Sequence, residues 1–187
     1  NLNLSNWNTS SVTDMSRMFE YAGSKATTWT IGDLSNWDVS KVTNMSYMFY
    51  EAGYNATTFN LNLSNWNTSS VTSMSSMFDS AGYSATTWTI GDLSSWDTSS
   101  VTSMGSMFSG AGYSATTWTI GDLSNWNTSS VTSMYDMFRA AGYSATTWSV
   151  TIPKTTGSLT NTTSKWYGSS SSAYTSPGTG RSFTLAS

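Results

Sequence analysis

The sequence contains no cysteine and no histidine, only two prolines, and only 7 basic and 10 acidic residues among its 187. Each shortage excludes something. Without cysteine there is no disulfide, so stability has to come from packing and hydrogen bonding. Without cysteine or histidine, metal sites built on thiolate or imidazole are ruled out, as are nucleophilic mechanisms that depend on them. A net charge of −3 with no basic cluster supplies no phosphate-neutralising stripe, so nucleic acid is not an expected partner. No run approaches the ~20 apolar residues that span a bilayer, and no membrane insertion is expected in this segment. The chain begins neither with methionine nor with a charged segment followed by an apolar one, and is expected to be a processed or excised piece of something longer.

What is abundant is polar, aromatic and sulfur-bearing. Serine and threonine supply 70 residues, and 27 aromatic residues and ten methionines accompany them. Disordered chains have few aromatics and much charge. This composition is that of a folding chain with an uncharged surface.

The residues recur in register. Trp7, Trp37, Trp66, Trp96 and Trp126 each close an L-S-x-W motif, and five near-copies of about 30 residues fill positions 1 to 150. One unit is a residue shorter because Phe59-Asn60-Leu61-Asn62-Leu63 replaces the W-T-I-G-D-L of the other linkers. All ten methionines fall in two columns, Met15, Met45, Met74, Met104, Met134 and Met18, Met48, Met77, Met107, Met137. Valine, phenylalanine, leucine and a second aromatic column run beside them. Regularity of this kind marks a structural repeat.

Within a unit two periods alternate. Val71, Met74, Met77, Phe78 and Ala81 follow the spacing of one helix face, with Ser69 or Ser70 as N-cap and Gly82 at the left-handed C-terminal position. Thr86-Thr87-Trp88-Thr89-Ile90 alternates instead, which predicts a strand with Trp88 and Ile90 on one face. Neither piece buries its apolar side alone, whereas stacked units share a continuous core. The expected fold is an α/β repeat solenoid, with short parallel strands and one short helix per coil. Five coils at strand spacing would span roughly 25 Å. Residues 151–187 break the period and are expected to form a non-repeat C-terminal cap or short β tail, after a last strand at Val150-Thr151-Ile152 stopped by Pro153.

The unit L-S-N-W-D/N-T-S-S-V-T-x-M-x-x-M-F, as in Leu34 through Phe49, resembles the short repeat of BspA-like leucine-rich-repeat surface proteins, and the likeness covers all five units. The Ala-Gly-Tyr-Ser-Ala-Thr-Thr insertion departs from that pattern. The resemblance implies an exported surface protein that acts as an adhesin or interaction module. It implies no catalytic residue and no cofactor.

Candidate sites have to be weighed against structural explanations. The columns Asn8, Asp38, Asn67, Asp97, Asn127 and Asn3, Asp33, Asn62, Asp92, Asp122 could stack oxygen ligands for calcium. Their mixture of Asp and Asn suits side-chain-capped turns better, and no metal is expected. Tryptophan columns at this spacing are expected in the core. The column Tyr54, Tyr83, Tyr113, Tyr143 lies among Gly, Ser and Asn and is the expected ligand-binding surface, tyrosine being a low-entropy contact anchor. Paired threonine columns such as Thr86-Thr87 fit outward strand positions. Glu20, Glu51, Asp79 and Asp136 fall at expected helix ends or variable positions, where a solvated surface is the default. They form no convergent acid/base pair, and the protein is not expected to be an enzyme.

The function expected is a non-enzymatic extracellular repeat module on a bacterial cell or virion surface, for adhesion or for protein or glycan interaction. The alternative is a structural subunit of an extracellular filament, appendage or viral fibre. Its self-assembly end would be Leu2, Leu4 and Trp7, because an unpaired coil edge is a template for another chain. Expected partners are a host or cell-surface protein or glycan, or copies of the chain itself.

Overall fold

The computed structural model describes residues 2–152 and, as backbone, the strand Arg181–Leu185. Each unit lies on the next in register. Parallel bridges run Asp14 to Asn44 to Ser73 to Ser103 to Ser133, one residue from each of the five units. Strand β1 (Thr58–Asn60) pairs in parallel with β2 (Thr87–Thr89), Phe59 opposite Trp88. Strand β3 (Trp148–Ile152) pairs in parallel with β4 (Arg181–Leu185). The proposed cap at 151–187 thus lies largely outside the described residues. What is seen of it is β4 laid along the last strand, with Val150 opposite Phe183.

The helix expected over Val71–Ala81 is not formed; no helix occurs among the described residues. The segment is a train of four-residue turns. Met77 N–H bonds to Met74 C=O at 3.2 Å, Asp79 to Ser76 at 3.2 Å, Ala81 to Phe78 at 3.0 Å and Ala85 to Gly82 at 2.9 Å. The alternate amides leave the coil. Met74 donates to Ser103 C=O, Ser76 to Gly105, Phe78 to Met107 and Ser80 to Ser109, at 2.7 to 3.0 Å. Beyond Ala81 the direction reverses, and Gly82 and Ser84 donate back to Ala52 and Tyr54 of the preceding unit at 2.9 Å.

The left-handed backbone makes this pattern possible. Ser76, Ser80 and Gly82 have φ of 51°, 57° and 56°, and the equivalent positions repeat it in each unit, at Tyr47, Glu51 and Gly53 for example. Such conformations cost a non-glycine residue about 1–3 kcal/mol each. They are incompatible with an α-helix but turn every second amide toward a neighbouring coil. A ten-residue stretch rich in Ser, Thr and Gly is a poor isolated helix, being short and of low propensity. Bonds to the coils on either side win. Gly82 is required on a second count: a Cβ there would lie 2.5 Å from Phe59 Cβ.

The apolar columns nevertheless go where their spacing directs. Val71, Met74, Met77, Phe78 and Ala81 are all fully buried, as are Leu63 and Leu93. Phenylalanines 19, 49, 78, 108 and 138 stack face to face at 5.3 to 5.6 Å between centroids. The L-S-x-W tryptophans after the first are buried and bolt each coil to the one before. Trp37, Trp66, Trp96 and Trp126 donate Nε1–H to the carbonyls of Leu4, Leu34, Leu63 and Leu93, at 2.9 to 3.1 Å.

Two outcomes test this arrangement. Far-UV circular dichroism is expected to lack the paired minima of an α-helix; a spectrum with substantial helix would contradict the turn train. Phe78→Ala removes a central ring of the stack and is expected to destabilise by about 3–5 kcal/mol in denaturant titration.

Candidate functional site

The Asp and Asn columns are turn elements. Asn8, Asp38, Asn67, Asp97 and Asn127 each accept the amide of the serine two residues on, at 2.9 to 3.2 Å. Asn3, Asp33, Asn62, Asp92 and Asp122 do the same, at 2.9 to 3.2 Å. Hydrogen bonds from Ser40 and Ser99 hold the Asp38 and Asp97 carboxyls below the usual carboxylate range, and the Ser35 amide does so for Asp33. Either Asp or Asn satisfies such a turn, which explains their interchange.

Threonine hydroxyls are also engaged. Thr43, Thr72, Thr102 and Thr132 donate to the carbonyls of Thr13, Thr43, Thr72 and Thr102, at 3.0 to 3.1 Å. Thr57, Thr86 and Thr116 reach back similarly at 3.2 to 3.4 Å. These exposed columns fasten coil to coil.

Tyr54, Tyr83, Tyr113 and Tyr143 form a ladder at the surface. Their rings stack with centroids 4.8, 4.5 and 4.7 Å apart and planes within 10°. Tyr54, Tyr83 and Tyr113 are half-buried and Tyr143 is exposed. The ladder begins at the second unit because Ser24 occupies this position in the first. Stacking changes what the expected ligand surface offers: the faces of Tyr83 and Tyr113 are covered by neighbouring rings, leaving edges and hydroxyls outward.

Two variable columns run alongside. One reads Glu20, Tyr50, Asp79, Ser109, Arg139 and the other Tyr21, Glu51, Ser80, Gly110, Ala140. Where both are small, a depression of about 170 Å³ opens, lined by Ser80, Tyr83, Ser109, Gly110, Tyr113, Arg139 and Ala140. The neighbouring units fill that space: Tyr50 packs edge-on against Tyr21 at 5.3 Å and Tyr47 at 5.7 Å. Apart from the tyrosines, no lining residue stood out in the sequence. The available signal was variation within an otherwise constant repeat.

Asp79 borders this region and is not the solvated carboxylate expected of its position. Burial, with the nearby Glu51 charge, pushes it up to about 6, against hydrogen bonds from Ser80 and Ser109 and the charge of Arg139. Ser80 Oγ donates to Asp79 Oδ1 at 3.0 Å. Asp136, too, was expected at a solvated position; it is only 9% exposed, its Oδ1 has no hydrogen-bond partner, and burial raises its pKa despite Arg139.

Of the three proposed end residues, Leu2 is 62% and Trp7 55% exposed, but Leu4 is not available. It is 6% exposed, and its carbonyl accepts the Trp37 indole. Its column belongs to the core, so the surface of this end is Leu2 and Trp7 with Tyr21, 52% exposed. Trp7 stacks on Trp37 at 6.3 Å.

The model of the DUF285 family, described as a Mycoplasma protein of unknown function, matches residues 1–87 and again 56–171. The chain belongs to the DUF285 family. The two matches overlap within the repeats, as they would if the family's unit were the same stacked coil. No curated protein matches the chain. No solved structure matches it either. Among the described residues of this DUF285 chain, no group of three or more Asp, Glu, His or Cys converges on a metal position, and no helix is long and apolar enough to cross a membrane.

Asp79 has a definite pH signature. An acid weaker in the folded state than its ordinary value of 3.8 favours folding fully below that pH, and the contribution is lost as pH rises through about 6. Asp79→Ser places the residue that the next unit carries at Ser109. It is expected to raise the melting temperature at neutral pH more than at about pH 4. An equal shift at both would contradict the assignment.

Proposed function

We propose that this DUF285 chain is a non-enzymatic interaction module of a BspA-like extracellular surface protein, its stacked coils forming a leucine-rich-repeat-like solenoid closed by a C-terminal cap. The observation that carries the reading is the tyrosine ladder. Its rings stand outside the core, in register at one-coil spacing, on a scaffold whose Phe, Asp/Asn and Thr columns close turns or join coils. Aromatic anchors held rigidly by their neighbours lose little entropy on contact. Repetition along the array multiplies contacts that are individually weak. The extracellular placement rests on the likeness of the repeat unit to BspA-like proteins, and the partner is a cell-surface protein or glycan.

Replacing Tyr54, Tyr83, Tyr113 and Tyr143 together by serine installs the residue already present at Ser24. The variant is expected to keep its fold by circular dichroism and to lose at least tenfold in binding to mammalian epithelial cells, measured by flow cytometry. Undiminished binding by the folded variant would contradict the reading.

A second reading is end-to-end self-assembly through Leu2, Trp7 and Tyr21, which are exposed. Light scattering distinguishes the two: mass that grows with concentration and is held down by Trp7→Ser supports assembly, whereas a constant monomer mass rejects it.

A further inference from the structure

The depression beside Tyr83 and Tyr113 differs from the rest of the ladder in shape and chemistry. It exists because two columns that elsewhere carry Tyr50, Tyr21 and Glu51 carry Ser109, Gly110, Ser80 and Ala140 here. Its size, about 170 Å³, lies below the 300–1,000 Å³ of sites for drug-sized ligands and matches one small ring. Ser80, Ser109, Tyr83 and Tyr113 line it, and the Ser80 and Ser109 hydroxyls, which donate to Asp79, offer acceptor lone pairs. Arg139 stands at one edge. Asp79, adjacent to Ser80 in the chain, accepts a hydrogen bond from the Ser80 hydroxyl. Apart from the tyrosine rings, nothing apolar larger than Ala140 lines it.

A ligand matching this lining is a small polyol. Hydroxyl groups on the ligand meet hydroxyls on the protein, a guanidinium supplies charge-assisted donors at one end, and the tyrosine edges form an apolar wall. The ring faces being used in stacking, recognition would come from directed hydrogen bonds and shape. A large apolar ligand would find no apolar floor, and a folded protein would need a wider contact.

We propose that this depression is a saccharide subsite that takes one hexose-type sugar residue, held by Ser80, Ser109, Arg139 and the hydroxyls of Tyr83 and Tyr113. It deepens the interaction-module reading by naming the ligand class, and so rests on it. Because the variable columns open such a space in units three to five, the array would present one sugar site, with the rest of the ladder contacting the surroundings of that residue.

The repeat itself supplies the test variants. Ser109→Tyr introduces the residue of the second unit, Tyr50, whose ring lies against Tyr21; in the fourth unit the equivalent neighbour is Ser80, on the wall of the depression. The substituted ring would fill the site. Arg139→Ser installs the residue of the preceding unit, and Asn125→Ser, which copies Ser95 on another surface, serves as the control. Saturation-transfer NMR would be run with methyl glycosides of glucose, galactose, mannose and N-acetylglucosamine at millimolar concentration. At least one is expected to receive saturation from the wild-type protein and from the control variant. Ser109→Tyr is expected to abolish the transfer, and Arg139→Ser to weaken apparent affinity at least fivefold. No transfer to any of these glycosides, or transfer unchanged by Ser109→Tyr, would overturn the subsite. If cell binding still depended on the tyrosines, only the subsite would fall; sugar binding without cell binding would instead leave the subsite standing and remove the broader reading.

Discussion

Every feature of this structure depends on backbone hydrogen bonds from one coil to the next, made by alternate residues. They fix a rise close to the ~4.8 Å of paired strands, although little of the chain is strand. At that rise identical side chains fall directly over one another, and flat rings are the shapes that fill the interval. The tyrosine spacing of 4.5 to 4.8 Å is nearly the rise itself, so these planes lie almost perpendicular to the stacking direction. Tryptophan centroids at 6.3 to 6.4 Å are offset further, which lets each indole N–H reach back to a leucine carbonyl.

The cost of the arrangement is a backbone bent repeatedly into the left-handed region. Two non-glycine residues per unit adopt it in most units, among them Tyr47 with Glu51 and Ser76 with Ser80. An isolated unit could not hold them there, because half of its turn amides would lack partners. Stability therefore belongs to the stack, as in other repeat arrays where each unit contacts only its neighbours. The same dependence explains the side-chain chemistry: Asn, Asp, Ser and Thr recur because they close turns or reach the adjacent coil, and charge is scarce because like charges would otherwise be stacked at one-coil spacing.

Much of this was legible in the residues. The spacing of Val71, Met74, Met77, Phe78 and Ala81 identified a buried face, and every one of them is buried. What periodicity could not distinguish was the backbone beneath them, since a train of four-residue turns presents the same side chains as a helix. Gly82 was read as a left-handed terminus and is left-handed. The decisive positions were Ser76 and Ser80, where nothing about serine announces a positive φ. Leu4 was grouped with Leu2 and Trp7 as part of an unpaired coil edge, while its own column leads into the core. At the candidate site the tyrosines were visible as a repeated column. Ser109, Gly110 and Arg139 were not, because residues that interrupt a repeat look like tolerated variation until the fold brings them to one place.

The most direct test of the account is NMR detection of scalar coupling across hydrogen bonds. The Phe49 amide is expected to couple to the Met77 carbonyl, and the Phe78 amide to that of Met107. Coupling of Phe49 to Met45, the carbonyl four residues earlier in its own unit, would mean a helix and would contradict the coil-to-coil bonding on which the rest of the structure depends.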